Sequence, residues 1–178
     1  MDPLIQPVID ACGYRLRPFN AGDAPLIQDA SSDPLIPLIT TVPCNGTRKE
    51  VSEFIDRQHH RLVERSGYSF AVADADSDQA LGQIGLWLKN SNHGRASIGY
   101  WVGPSHRNRG IASAALESIS RWGLGLPDIH RLELYVEPWN EGSWKTAEHC
   151  GYMREGLLRS WEEIGGARKD MYMYSRLG

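Results

Sequence analysis

The sequence predicts a mixed α/β fold of about seven strands and about four helices in one domain. Three observations carry that expectation. The chain has 178 residues, enough for one core of good size and too few for two. Segments of alternating polarity and of helical period follow one another as β-α-α-β-β-β-α-β-α-β-β. Three strands in succession, and a closing pair, rule out a doubly wound parallel sheet, in which a helix separates neighbouring strands.

Residues 14–19 (Tyr-Arg-Leu-Arg-Pro-Phe) alternate and open the sheet. A short helix is expected from Asp23, then a proline-rich irregular stretch over 33–46. Thr47, with Glu50 three residues on, makes a capping box for a helix over 48–65. Val51, Phe54, Ile55, Gln58 and Leu62 share one face of it. Residues 68–73 and 80–88 read as strands around a hairpin loop at 74–78. The strand at 96–103 carries Ile98, Tyr100 and Val102 on one face and Trp101 on the other, as a central strand does. The clearest helix runs from 110 to about 125, with Ile111, Ala115, Ile119 and Trp122 at helical spacing. Residues 131–137 alternate Leu132, Leu134 and Val136 against Glu133, Tyr135 and Glu137. A helix over 141–150 stops at Gly151, a suitable left-handed residue. Strands at about 153–163 and 167–177 close the chain around Gly165-Gly166, a favourable hairpin turn.

Composition excludes several classes. A net charge of −3 argues against a nucleic-acid partner, which calls for a basic patch or stripe. No apolar run reaches the ~18–20 residues of a membrane span. The start, Met1-Asp2-Pro3-Leu4, lacks the basic and apolar regions of a signal peptide. A cytoplasmic protein with no membrane partner is expected. Cys12, Cys44 and Cys150 form no CxxC pair and no ligand spacing with histidine, so they read as reduced thiols. His59 and His60 are neighbours on a helix and point about 100° apart. No metal is expected.

The chemistry concentrates in Gly103-Pro104-Ser105-His106-Arg107-Asn108-Arg109-Gly110-Ile111-Ala112. A central strand ends there, a polar loop follows, and a helix begins at a glycine. Loop N–H groups and the positive end of the helix dipole converge on one anion site. Gly110 lets a phosphate approach the backbone, and Arg107 and Arg109 add charge that pairs with phosphate oxygens. The same residues also read as an ordinary strand-to-helix turn with solvated arginines. Neither GxxxxGK[ST] nor a strand-linked GxGxxG is present.

Arg107, Gly110 and Ala112 fill the R/Q-x-x-G-x-G/A signature of the GCN5-related N-acetyltransferases (GNAT), which this segment resembles. Downstream, Asn140, Ser143, Glu148, Gly151, Tyr152, Glu155 and Gly156 read N-x-x-S-x₄-E-x-x-G-Y-x-x-E-G. This run is similar to the RimJ/RimL branch, the ribosomal-protein N-terminal acetyltransferases. The resemblance extends from Tyr14 to Asp170-Met-Tyr-Met-Tyr and skips about 30–46.

The resemblance implies one GNAT domain over 1–178, with a mixed, mostly antiparallel sheet and acetyl-CoA as co-substrate. The pantetheine arm would lie along the strand edge at Tyr100, Trp101 and Val102. The pyrophosphate would sit on the amides of Arg107, Asn108, Arg109, Gly110, Ile111 and Ala112, with Ser113 adding a hydroxyl. Asn140 would stand beside the pantetheine, or serve only as a helix cap. Many superfamily members place a tyrosine four residues before the glycine of the G-F/Y pair, as proton donor to the leaving thiolate. Here that position is Ala147, which leaves Ser143 as the candidate, against a plain third residue of a helix. The strand at 96–103 holds no carboxylate. Glu162 matches a carboxylate position of RimL-type enzymes and is the candidate base, against a solvated hairpin glutamate. Glu163 should face the other way.

The resemblance implies an amine as the acceptor. Deprotonation at pH 7.4 costs roughly 0.4–0.8 kcal/mol for a peptide α-amine and ~4 kcal/mol for lysine. One weakly supported base suits the former, as does the branch. A small-molecule amine or antibiotic is the alternative acceptor, and a non-catalytic acyl-CoA sensor the alternative from another class. The acceptor groove is expected at 33–46 and the last hairpin. A homodimer is left open.

Overall fold

Local signals set most element boundaries, and long ladders between the strands do the rest. In the computed structural model, which describes residues 2–178, the elements follow in chain order. They are β1 (Ile9–Asp10), β2 (Tyr14–Arg17), α1 (Ala24–Ser31), α2 (Ile36–Ile39), α3 (Arg48–Val63), β3 (Gly67–Asp74), β4 (Ala80–Trp87) and β5 (Arg95–Val102). Then come α4 (Ile111–Leu124), β6 (Arg131–Val136), α5 (Glu141–His149), β7 (Met153–Ile164) and β8 (Ala167–Leu177). The expected capping box starts α3: the Glu50 N–H donates to the Thr47 hydroxyl at 3.3 Å, and the Thr47 N–H to the Glu50 carboxylate at 2.8 Å. Gly165 and Gly166 turn the last hairpin at φ of 59° and 76°, a left-handed pair that side chains resist.

One sheet holds all eight strands in the order β1-β2-β3-β4-β5-β6-β8-β7. Every pairing is antiparallel except β5 with β6. Two differences from the expectation stand out. β1 adds an eighth strand, and α2 adds a fifth helix inside the stretch expected to be irregular. β1 has two residues and α2 has four, so neither shows a period in sequence. α2 forms because Asp33 accepts the N–H groups of Leu35 and Ile36 and Pro37 sits in its first turn.

The core lies in two layers. Against α4 and α5 pack Leu16, Phe70, Ile84, Leu86, Ile98, Leu132 and Leu134 of the strands with Leu116 and Ile119. Against the other face pack Phe19, Ile27, Ile36, Val51 and Phe54 with Ala71 and Trp101. Burying one such side chain is worth roughly 1.5–3 kcal/mol. The three cysteines are free thiols, and no helix among the described residues is long and apolar enough to cross a membrane.

A buried polar network fixes β5 against its neighbours. Trp101 Nε1 donates to Gln83 Oε1 at 2.6 Å, and Gln83 Nε2 donates to Ser69 Oγ at 2.7 Å and to Gln58 Oε1 at 3.1 Å. Gln83 thus links β3, β4, β5 and α3 through one amide. Gln83→Ala leaves buried donors and acceptors unpaired, at ~1–3 kcal/mol per group. We expect a loss of about 2–4 kcal/mol, read as a lower urea midpoint at unchanged slope. A loss under about 0.5 kcal/mol would show that the network bears little weight.

Candidate active site

β5 and β6 pair only at Arg95↔Arg131, Ala96↔Leu132 and Ser97↔Glu133. Beyond Ser97 the strands part, and the edge of β5 at Ile98–Val102 faces an opening. β4 covers the opposite edge as far as Val102. Tyr100 and Val102 pack on the α4/α5 layer, whereas Trp101 is buried in the other. Their main chain is therefore what they present to the opening.

At the end of β5 the chain makes a short turn, Pro104–His106, before α4. Asn108 and Gly110 take φ of 62° and 75°. The N–H groups from Arg107 through Ser113 find no acceptor among the described residues, which leaves seven successive donors for an anion. A Cβ on Gly110 would meet no atom within 4 Å, so the space over this loop is open. The two arginines are less equivalent than the sequence reading made them. Arg107 Nη2 donates to Asp33 Oδ2 at 2.8 Å. Arg109 gives its carbonyl to the Tyr14 hydroxyl at 3.0 Å, and its guanidinium has no carboxylate partner among the described residues.

Across the opening stands the start of α5. Asn140 Oδ1 accepts the Ser143 N–H at 3.2 Å, so Asn140 does cap this helix. Its amide NH₂ has no partner among the described residues and remains available to a ligand. Ser143 Oγ lies 3.0 Å from the Tyr100 hydroxyl, which also reaches the Ser143 carbonyl oxygen at 3.2 Å. Burial pushes the Tyr100 pKa up to about 12, with the Ser143 hydrogen bond opposing it. The phenol therefore keeps its proton at neutral pH and donates a hydrogen bond. This pairing of Tyr100 with Ser143 was not foreseen, because no local pattern links a strand tyrosine to a serine on a later helix.

The other face of the opening carries groups that the sequence reading placed on a strand without a role. Glu133 is only 1% exposed, although the alternation of β6 gave it no apolar partner. It accepts from Arg131 Nε at 2.8 Å, from Arg95 at 3.4 Å and from the Tyr135 hydroxyl at 2.9 Å. Arg131 also makes a two-pronged bond to Glu155, at 2.8 and 2.7 Å, and Glu155 accepts from Ser175 as well. The Trp161 ring stacks on Tyr135 with centroids 5.7 Å apart. A bulge between Leu158 and Glu162 aims it there, with Ser160 at φ 51° and its N–H bonded to Asp170 at 2.7 Å.

Pairing carries Glu162 to this same face. It sits opposite Lys169, which alternates with Met171, Met173 and Ser175 on β8, and those last two lie opposite Tyr135 and Glu133. Glu162 is exposed, and its carboxylate has no hydrogen bond or ion pair among the described residues. The structure thus gathers Tyr100, Asn140 and Ser143 on one side of the opening. It gathers the loop from Arg107 to Ser113 at its end, and leaves Glu162 apart on the opposite face. No group of three or more potential metal ligands occurs among the described residues.

Residues 14–153 match the family model of the GNAT acetyltransferase domain. The chain belongs to that family and is an N-acetyltransferase. It is 28% identical to the uncharacterized N-acetyltransferase p20 of Bacillus licheniformis over 162 residues, 91% of each chain. It is 27% identical to the ribosomal-protein-serine acetyltransferase of Escherichia coli K12 over 131 residues, 74% of this chain and 70% of the relative. Among solved structures, Mycobacterium smegmatis RimJ in complex with CoA-disulfide superposes with a TM-score of 0.84. It covers 99% of this chain and 90% of its own at 24% identity, and so shares the fold.

The carboxylates of the charged cluster set a pH dependence. The Arg131 and Ser175 hydrogen bonds hold the Glu155 pKa at about 2. Burial alone would raise Glu133, but hydrogen bonds from Arg131 and Tyr135 outweigh it and leave it lowered. A depressed carboxylate stabilises the fold above its unfolded pKa of about 4.3 and loses that contribution as pH falls through its folded value. The melting temperature should therefore hold steady from pH 7 to about 5 and fall between roughly 4.3 and 2. Glu155→Gln should make that fall shallower, and an equal slope in both proteins would remove Glu155 from the account.

Proposed function

We propose that this enzyme transfers an acetyl group from acetyl-CoA to the α-amine of a protein or peptide N-terminus. The observation that carries this reading is the opening between β5 and β6, with seven unpaired N–H groups at one end and the Tyr100–Ser143 pair across it. The loop N–H groups suit a pyrophosphate, and the free edge of β5 suits an amide-bearing arm laid alongside it as an added strand. Both fit coenzyme A. The relative from Escherichia coli is named for acetylation of a ribosomal protein, which supports a protein acceptor.

When Tyr100 donates to Ser143 Oγ, the serine proton is free to point at the sulfur of the departing thiolate. Coenzyme A's thiol should have a pKa of ~8.5, like cysteine. A hydrogen bond is therefore sufficient help, and Ser143 with Tyr100 supplies it from the α5 face. The amine then approaches from the face of Tyr135 and Trp161, and Glu162 takes its proton directly or through water. The carboxylates nearest that face, Glu133 and Glu155, are already bonded to arginines. A polyamine, which brings several ammonium groups, would find few free partners there, whereas a single α-amine needs one.

The test is an acetyl-CoA turnover assay over N-terminal peptides, free amines and aminoglycosides. Peptide α-amines should be the best acceptors, and preference for an aminoglycoside or polyamine would overturn the acceptor assignment. Absence of turnover with every acceptor, with acetyl-CoA still bound, would favour a sensor. With the best acceptor, Ser143→Ala should lower kcat by a factor at the low end of ~10²–10⁴ or below, at near-normal acetyl-CoA affinity. Tyr100→Phe should lower it less, and the double variant should match Ser143→Ala alone, because the two act as one unit. Full additivity would separate Tyr100 from the step.

Glu162→Gln should depress kcat/KM most below the amine's pKa of ~7.7–8.0, where few acceptors are neutral. The deficit should shrink above about pH 8, since a free amine needs no base. A pH profile parallel to that of the parent enzyme from about pH 6 to 9.5 would leave unassisted attack as the mechanism.

A further inference from the structure

Two carboxylates fasten the segment between β2 and α3 to the phosphate loop. Asp29, on α1, accepts from the Ser105 hydroxyl at 3.3 Å. Asp33 is more deeply held, with only 5% of its side chain exposed. Its Oδ1 accepts the N–H groups of Leu35 at 2.8 Å and Ile36 at 2.9 Å, and so caps α2. Its Oδ2 accepts from Arg107 Nη2 at 2.8 Å. The Arg107 side chain is 46% exposed, and its remaining guanidinium donors have no partner among the described residues. At the other end of α2, Leu38 lies near the turn of the last hairpin, with open space at Gly165 between them, and is itself half exposed. Hydrogen bonds therefore run from Arg107 through Asp33 to the first turn of α2, within the stretch expected to border the acceptor.

We propose that Asp33 is a positioning residue that ties occupation of the phosphate loop to the arrangement of the acceptor side. The proposal rests on the acetyl-CoA reading above. A pyrophosphate bonded by the open donors of Arg107 fixes the guanidinium, because a second strong acceptor removes its remaining freedom. The fixed guanidinium holds Asp33, and Asp33 sets the first turn of α2. A helix of four residues cannot sustain itself, so its cap and its packing decide whether it is ordered. Coenzyme binding then stiffens α2, on the acceptor side of the opening. The amine arrives at a groove whose wall has been set by the bound coenzyme.

Amide hydrogen exchange with coenzyme A as the probe tests this without an identified acceptor. In the parent protein, saturating coenzyme A should slow exchange at Leu35, Ile36, Leu38 and Ile39 by about fivefold or more, the lower bound of ordinary coupling between sites. In Asp33→Asn the amide oxygen still accepts from the helix N–H groups, but the ion pair is gone. That variant should bind coenzyme A with affinity within about threefold of the parent and lose most of the coenzyme-dependent slowing. A merely structural Asp33 would instead speed exchange equally with and without coenzyme. Should Asp33→Asn fail to fold, Arg107→Gln leaves both Asp33 caps in place and should lose the same slowing at saturating coenzyme A. Unchanged α2 exchange on binding, or slowing retained in these variants, overturns the proposal alone. Failure of the parent protein to bind coenzyme A in calorimetry overturns it together with the acetyl-CoA reading.

Discussion

The short life of the β5–β6 pairing is the constraint on which the rest of the site depends. β5 follows β4 along a six-residue register, and β6 follows β8 along another of equal length. Each strand is held by its outer neighbour, and the two share only three paired positions. Main-chain groups on the open edge still require partners, which water or a ligand must supply. The opening is thus a demand for hydrogen bonds built into the sheet. The helix that follows β5 begins at the end of that opening, and the helix that follows β6 begins across it.

Charge holds the fork together. Arg95 on β5 and Arg131 on β6 both bond to the Glu133 carboxylate, at the last paired register before the strands diverge. A carboxylate with 1% exposure is costly unless it is fully bonded, and here it has three donors. The same carboxylate fixes the Tyr135 hydroxyl, and Tyr135 in turn supports Trp161. On the α5 face a neutral pair, Tyr100 and Ser143, does the corresponding work. One side of the opening is ionic, while the other is neutral and joined by hydroxyl hydrogen bonds.

Much of this was legible in the sequence, for a physical reason. Gly110, Gly151 and Gly165-Gly166 mark left-handed backbone, Thr47 and Glu50 mark a helix start, and all act within a few residues. The strand ends agreed within a residue or two for the same reason. What the sequence concealed acts at long range. Tyr100 meets Ser143, Asp33 meets Arg107, and Glu133 gathers Arg95, with no spacing rule to announce any of them. Glu133 occupied the polar phase of its strand and turned out buried, because the second face of β6 is covered by arginine and tyrosine. Short elements escaped too: β1 and α2 span barely one period each, too little for a pattern to repeat.

The bulge in β7 has a consequence apart from the acceptor. β7 is the terminal strand of the sheet, twelve residues long, with nearly all of its side chains in solvent. An uninterrupted edge of that length is a template on which a second chain can add itself, and the end of the process is aggregation. Ser160, in left-handed backbone and clasped by Asp170 and Arg168, breaks the ladder between Leu158 and Glu162. What remains are two short runs with Arg154, Glu162 and Glu163 among their residues. A feature that stacks one tryptophan on Tyr135 therefore also interrupts the exposed border on which a neighbour could add itself.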